Sequence, residues 1–243
     1  MENIKQVDRM VKETIKKGQP WTDSTFLPIK SSLFDAAIDT KNNQIFEDLQ
    51  WKRASEIYQS PAIFKDGIEP NDVNQGALGD CYFLAALSSL AEFPHRIRAM
   101  FSTDTINTAG IYMIKFFLNG KETPVVVDDH LPVKADGTPA FATSRDGELW
   151  VSLLEKAWAK LHGSYARMEG GLPSFAASHL AGVPAESYLH DLIDDKEDFF
   201  AMLELADKRN FIMMAASRDA GETAGADGVV TGHAYSLIDI YRL

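Results

Sequence analysis

The first segment of the chain has the apolar spacing of an amphipathic helix. Apolar residues recur at steps of three and four, at Ile4, Val7, Met10, Val11 and Ile15. This spacing predicts one apolar helix face, and Gly18 and Pro20 are expected to end the helix. Residues 1–20 are therefore interpreted as an N-terminal helix. Packing on the body of the protein is favoured over an arm that binds a partner or a membrane surface.

A second helical pattern follows the only cysteine. The apolar residues at helical spacing are Leu84, Leu87 and Leu90, with Ala85, Ala86 and Ala91. Asp80 is a favourable N-cap residue, and Pro94 is expected to stop the helix. Cys81 is thereby placed in the first turn, where unpaired N–H groups and the helix dipole stabilise a thiolate.

The remaining periodicity predicts a mixture of helices and strands. Helices are expected over 148–162 and 198–209, and strands over 111–118, 121–127, 211–216 and 232–241, whereas 21–72 is interpreted as loops and short helices. In the first of these helices Glu155, Lys156 and Lys160 are predicted to face outward, and the helix is expected to pack beside the cysteine helix. Asn119-Gly120 is a strong hairpin signal. The fold class is α+β.

Composition and charge exclude some classes of protein. The chain has 243 residues, which suggests one or two domains with a sizeable core. Its 24 basic residues against 35 acidic ones give a net charge of −11, which argues against a nucleic-acid binder and is compatible with cation binding. A single cysteine forms no internal disulfide, so a cytoplasmic location is expected. We find no stretch suited to span a membrane.

Two polar groups give Cys81 a chemical context. A free cysteine usually serves as a small buried hydrophobe. Here Gln75 precedes the cysteine on a glycine-bearing loop, and His233 lies far downstream after Gly232. A lone cysteine with a distant histidine is the pattern of a nucleophile and its base. Without further information, a histidine at a strand end is more often structural.

Other polar residues allow a bland and a functional interpretation. Adjacent Asp128 and Asp129 on a strand point to opposite faces, which favours structural roles. The acidic run at 65–72 contains carboxylates and flexible loop carbonyls, the oxygen ligands that calcium prefers. Taken alone, that run is a weak signal and is more typical of a solvated surface loop.

Several ordered sequence blocks resemble the calpain family of calcium-dependent cysteine proteases. The family's cysteine and histidine segments resemble QGALGDCYFLAALSSL at 75–90 and GHAYSL at 232–237. Further blocks in the expected order are WTDSTFLP, SSLF, WKRASEIYQSPAIFKDG, VVVDDHLP and ELWVSLLEKAWAKLHGSY. The resemblance covers 21–243, and so many ordered blocks are more specific than any single motif.

The resemblance implies a papain-like cysteine protease fold. A cysteine-bearing, largely helical subdomain would cover 21–182, and 183–243 would begin a β-rich, histidine-bearing subdomain. Cys81 would be the nucleophile and His233 its base, with the Gln75 amide and the Cys81 N–H as oxyanion donors. Gly171 and Gly232 would dock the substrate backbone. Without the resemblance, Gly171 is equally a plain loop glycine.

The resemblance also implies a calcium site and partners. Its ligands would be the carbonyls of Lys65 and Gly67 with the carboxylates of Asp72 and Glu148, and bound calcium would bring the two subdomains into register. Leu149 stands where the family has an aromatic residue. Protein or peptide substrates are expected, and further domains or a regulatory subunit are compatible with the family.

Two departures from the family pattern matter. Tyr82 follows the cysteine where the family usually has tryptophan. The family's third catalytic residue, an asparagine before Pro-Trp, has no counterpart in the 10 residues after His233. The second subdomain is therefore expected to be incomplete. Two functions stay open, a calcium-dependent endopeptidase and a catalytically impaired regulatory or interaction module of the same family.

Overall fold

A computed structural model describes residues 2–34, 44–217, 225 and 228–242. The α-helices are α1 (Glu2–Lys17), α2 (Lys30–Leu33), α3 (Gln44–Glu47), α4 (Ala54–Ile57), α5 (Cys81–Ala91), α6 (Pro94–Met100), α7 (Trp150–His162), α8 (Pro173–Ala181) and α9 (Lys196–Lys208). The strands are β1 (Gln50–Arg53), β2 (Ile111–Leu118), β3 (Lys121–Asp128), β4 (His130–Val133), β5 (Met213–Ala216) and β6 (Ala234–Leu237). Short 3-10 turns are found at Pro70–Asp72, Arg145–Gly147, Ala166–Met168 and His190–Leu192. The predicted α+β class is confirmed.

The described strands pair in three antiparallel ribbons. β2 and β3 form the predicted hairpin, and both turn residues, Asn119 and Gly120, have positive φ (52° and 71°), as a tight hairpin turn requires. β5 pairs with β6, and β1 pairs with β4. The prediction of loops and short helices over 21–72 was wrong at β1, because its partner β4 is remote in sequence and local pattern does not reveal it.

α5 lies at the centre of the main core. Most of its residues are buried, and the backbone of α8 lies alongside it. α7 reaches α5 through Trp158, which stacks on Phe83 with ring centroids 5.0 Å apart and donates from Nε1 to the Tyr82 hydroxyl at 3.0 Å. The predicted contact between the two long helices is therefore made by one large side chain.

α1 packs on the body of the protein through a second apolar cluster. Val7 is buried against Ala109, Ile111 and Met113 of the β2 region. This contact favours the packing interpretation of the N-terminal helix. In the part of the chain that the structure describes, no helix has the length and apolar character needed to cross a lipid bilayer.

Some local predictions need correction. Pro94 does not simply end a helix; it also begins α6, since proline is favoured in the first helical turn. Glu155 and Lys156, predicted to face outward, are buried with exposures of 2% and 0%. Lys156 donates to Asp128 at 2.5 Å, and this ion pair with the Asp128 carboxylate offsets part of the cost of burying the ammonium.

Candidate active site

Cys81 is the first residue of α5 and is partly exposed, whereas the residues that follow it are largely buried. The predicted position in the first helical turn is confirmed. The loop before it is held against residues 140–143: Asn74 and Thr143 exchange two backbone hydrogen bonds of 3.0 Å, and Ala77 N donates to the Ala140 carbonyl at 3.1 Å. The thiol is thus presented by a rigid loop and a buried helix.

Gly76 allows the loop to approach its neighbour closely. A Cβ at this position would lie 2.4 Å from the backbone of Phe141. Any residue larger than glycine would therefore displace the chain here. The adjacent Gln75 is exposed, and its Nε2 donates to the Leu78 carbonyl at 2.8 Å. An amide nitrogen carries a second N–H, so this contact uses only part of its donor capacity.

Gly171 lies against Tyr82, the residue that follows Cys81. Its Cβ position would be 2.7 Å from the ring of Tyr82. The preceding Gly170 N donates to the Gly79 carbonyl at 2.8 Å, and Gly79 N donates to Glu169 Oε1 at 3.1 Å. The 169–171 turn and the cysteine loop therefore form one unit, and the need for glycine at 171 comes at least in part from Tyr82.

His233 directly precedes β6, so the strand begins two residues later and ends four residues earlier than the predicted 232–241. Ser217 holds its backbone: Ser217 Oγ accepts from His233 N at 3.1 Å, and Ser217 N donates to the His233 carbonyl at 3.0 Å. The imidazole meets the Tyr235 ring edge-on, with centroids 5.0 Å apart. Gly232, with φ of 63°, makes the turn before it.

β6 packs on the helix that carries the cysteine. Ser88 Oγ of α5 lies 3.4 Å from Ser236 Oγ, and buried Ser89 donates to the Met213 carbonyl at 2.7 Å. The same Ser88 hydroxyl donates to the Pro70 carbonyl at 3.0 Å. α5 therefore contacts both the histidine-bearing ribbon and the acidic loop. These two serines could not be predicted as contact residues from the sequence, because only their place on the helix distinguishes them.

The predicted calcium ligands line one pocket of about 220 Å³. Lys65, Gly67, Asp72 and Glu148 all contribute to its wall, together with Asp66, Glu69 and Arg145. Glu148 accepts hydrogen bonds from Lys65 N and from Trp150 Nε1. Burial raises the pKa of the Glu148 carboxyl, and the Asp72 carboxylate adds to this rise. The structure thus brings together residues that are 83 positions apart.

The donor set of this pocket fits an oxygen-seeking cation. Asp72 and Glu148 supply carboxylates, and the 65–67 turn, with positive φ at Asp66 and Gly67, supplies exposed backbone. Among the described residues, no group of three or more His, Cys, Asp or Glu side chains is placed to hold a metal. A cation here therefore needs backbone carbonyls as well, which calcium accepts. Arg145 Nε, 3.8 Å from Asp72 Oδ1, competes for the same charge.

A partly exposed thiol at a helix start, with a histidine-led strand packed on that helix, is an arrangement found in cysteine proteases. The family model described as "Calpain family cysteine protease" matches residues 21–243. The chain belongs to the calpain family of cysteine proteases.

Individual relatives agree with the family match. The chain is 36% identical to the calpain-type cysteine protease DEK1 of Arabidopsis thaliana, over 98% of its own length and 12% of that protein's. It is 35% identical to calpain-5 of Caenorhabditis elegans, over 95% and 37% of the two chains. It is 34% identical to the calpain-1 catalytic subunit of Rattus norvegicus, over 93% and 32%. The chain thus spans well under half the length of these relatives.

Proposed function

We propose that this chain is the papain-like core of a calcium-dependent cysteine endopeptidase acting on intracellular proteins or peptides. The observation that carries the proposal is the partly exposed Cys81 at the start of an otherwise buried helix, in a chain of the calpain family. Residues 21–182 would be the cysteine-bearing subdomain and 183–243 the start of the histidine-bearing one. Residues 1–20 would be a helix packed on the first.

Catalysis would begin with proton transfer from the Cys81 thiol to the His233 imidazole. The resulting thiolate attacks the peptide carbonyl and forms a tetrahedral intermediate. His233 then protonates the leaving amine, and water hydrolyses the thioester. The Ser217 contacts with the His233 backbone support this role, because they restrict the strand start from which the imidazole projects.

The oxyanion would be stabilised by the Cys81 N–H and by the Gln75 side-chain amide. Gln75 lies on the loop that is fixed against 140–143, and Cys81 directly follows that loop, so the backbone positions of both donors are held in place. Gly171 and Gly232 would dock the substrate backbone on either side.

Calcium would bind between the 65–67 turn and the carboxylates of Asp72 and Glu148. It would supply positive charge that holds these loops together. Asn74 Nδ2 donates to the Asp72 carbonyl at 2.9 Å, and Gln75 is the next residue. The proposed calcium pocket is thus three residues from the proposed oxyanion donor. A cytoplasmic location and additional domains or a regulatory subunit complete the proposal.

Cleavage of an unfolded protein such as casein tests the protease function. We expect wild-type protein at millimolar calcium to cleave it, and Cys81→Ser or chelation of calcium to abolish cleavage. His233→Ala should lower the rate by at least about 10²-fold, as loss of a general base does. A chain that folds but cleaves nothing with calcium would favour the alternative, a regulatory or interaction module of this family.

Calorimetric titration with calcium tests the pocket. Asp72→Asn and Glu148→Gln should each weaken calcium binding by about tenfold or more, because affinity follows the number of charged ligands. Glu69→Gln is the matched control, since Glu69 lines the same pocket and is not a proposed ligand. Unchanged affinity in Asp72→Asn would remove that residue from the site.

A further inference from the structure

Asp80 occupies the N-cap position of α5 but does not cap the helix. No backbone N–H of the helix donates to its side chain, and its residue exposure is 0%. Among the described residues, neither oxygen of the Asp80 carboxyl accepts a well-placed hydrogen bond from an N–H group or from a Ser, Thr or Tyr hydroxyl. The predicted capping contact is therefore wrong. The Asp80 side chain is instead turned into the core next to the nucleophile, where a bare carboxylate is costly.

The group that meets it is a second buried carboxyl. Glu155 of α7 has an exposure of 2%, and one of its oxygens accepts from Ala142 N at 2.9 Å. Its side chain is within hydrogen-bonding contact of Asp80. Carboxylates only accept hydrogen bonds, so two of them bond to each other only when one carries a proton.

The surroundings do not favour two negative charges. Glu169 and the buried Tyr165 hydroxyl face the pair from the 165–169 turn, and Tyr82 faces Asp80 from α5. The neighbouring Lys156 is committed to Asp128, and within the described part of the chain no cation forms an ion pair with either carboxyl. Burial raises the pKa of Asp80 to about 7, partly opposed by the hydrogen bond from Glu155. Burial also raises the pKa of Glu155, and the nearby Asp80 adds to that rise.

We propose that Asp80 and Glu155 share a proton and that this bridge between the cysteine loop and α7 positions Cys81. The backbone carbonyl of Asp80 accepts the first hydrogen bonds of α5, from Phe83 N at 2.9 Å and Leu84 N at 3.1 Å. Fixing the Asp80 side chain therefore fixes the start of the helix, from which the thiol projects. Both residues are positioning residues. Their effect on catalysis rests on the proposed protease function, whereas the shared proton does not.

The bridge makes stability depend on pH in a defined direction. The pKa of Asp80 in the folded state is above the ordinary value of 3.8 for an aspartate. The contribution of the proton is therefore fully present below about pH 4 and is lost as the pH rises through about 7. The double variant Asp80→Asn/Glu155→Gln keeps the shape and offers an amide hydrogen bond without a shared proton, so it should not show this loss.

Thermal unfolding between pH 5 and pH 8 tests the shared proton. The wild-type midpoint should fall by about 4 °C more than that of the double variant. Glu13→Gln is the matched control, because Glu13 is an exposed carboxyl on α1; it should keep the wild-type slope. Equal slopes in the wild-type protein and the double variant would overturn the proposal, whether or not the chain cleaves casein.

Alkylation of Cys81 by iodoacetamide tests the positioning role without requiring proteolysis. At pH 6, Asp80→Asn should keep the wild-type rate because its amide still bonds to Glu155. Asp80→Ala should change the rate by about tenfold, as misplacement of a reactive group does. If Asp80→Ala does not fold, Glu155→Ala removes the same bridge from the other side. Wild-type rates in a folded alanine variant would overturn the positioning role.

Discussion

At the scale of single residues, close contacts around Cys81 explain which residue types stand at neighbouring positions. Tyr82 accepts a hydrogen bond from Trp158 and lies against Gly171. A buried tyrosine hydroxyl needs a hydrogen-bond partner, and Trp158 Nε1 is that partner for Tyr82. The aromatic residue after the cysteine therefore connects α7, α5 and the turn that is proposed to dock substrate.

Gly171→Ala should destabilise the protein by about 1–3 kcal/mol, because the added methyl group overlaps the Tyr82 ring and forces repacking. Gly79→Ala is the control. Its Cβ would meet the nearest atom, Glu169 Oε1, at 3.5 Å, an ordinary contact. Urea unfolding of both variants measures the difference. Equal stability of the two variants would show that the Tyr82 ring moves aside for the added methyl group at little cost in free energy.

At the scale of elements, α5 joins the parts of the proposed site. Ser88 contacts the acidic loop at Pro70 and the histidine-bearing ribbon at Ser236, while Ser89 binds Met213 of β5. A buried hydroxyl on a core helix needs such partners. The two serines thus attach the β5–β6 ribbon to the helix that carries the nucleophile.

Ser89→Ala should loosen this attachment locally. Loss of one buried hydrogen bond, about 1 kcal/mol, predicts amide exchange in β5 and β6 that is about fivefold faster. Exchange in the β2–β3 hairpin should not change. Ser178→Ala, which removes bonds to Phe175 and His179 within α8, is the control. Unchanged exchange in β5 would contradict the proposed attachment.

At the scale of the whole molecule, the described residues form a main core and a smaller apolar cluster under α1. The smaller cluster joins the N-terminal helix to the β2–β3 hairpin through Val7, Ile111 and Met113. Because Val7 has an exposure of only 7%, the helix contributes to stability through its apolar face.

Val7→Ala should lower the free energy of unfolding by about 1–2 kcal/mol, since it removes two buried methyl groups. Ile15→Ala on the same helix is the control, because Ile15 is 50% exposed and should lose much less. Chemical denaturation of the two variants gives the comparison. If both lose the same small amount, α1 does not dock on β2 in solution.

Features that depend on neighbouring residues could be predicted from the sequence, whereas features that depend on residues distant in sequence could not. The apolar face of α1, the Asn119-Gly120 hairpin and the place of Cys81 depend on neighbours within a few positions, so the chain itself determined them. The pairing of β1 with β4 joins residues about eighty positions apart, and no periodicity reveals it. The prediction that Lys65, Gly67, Asp72 and Glu148 lie at one site came from the family resemblance, because no local pattern links residues so far apart in sequence.

Burial of polar groups was decided only by the tertiary structure. By spacing, Glu155 and Lys156 belong to an outer helix face, and Asp80 is a favourable cap, yet all three lie inside. The covering segments come from distant parts of the chain, and their closeness lowers the local dielectric and changes which charges are tolerated. The sequence determined that Cys81 lies at the start of a helix; the folded chain decided which carboxyls are buried beside it.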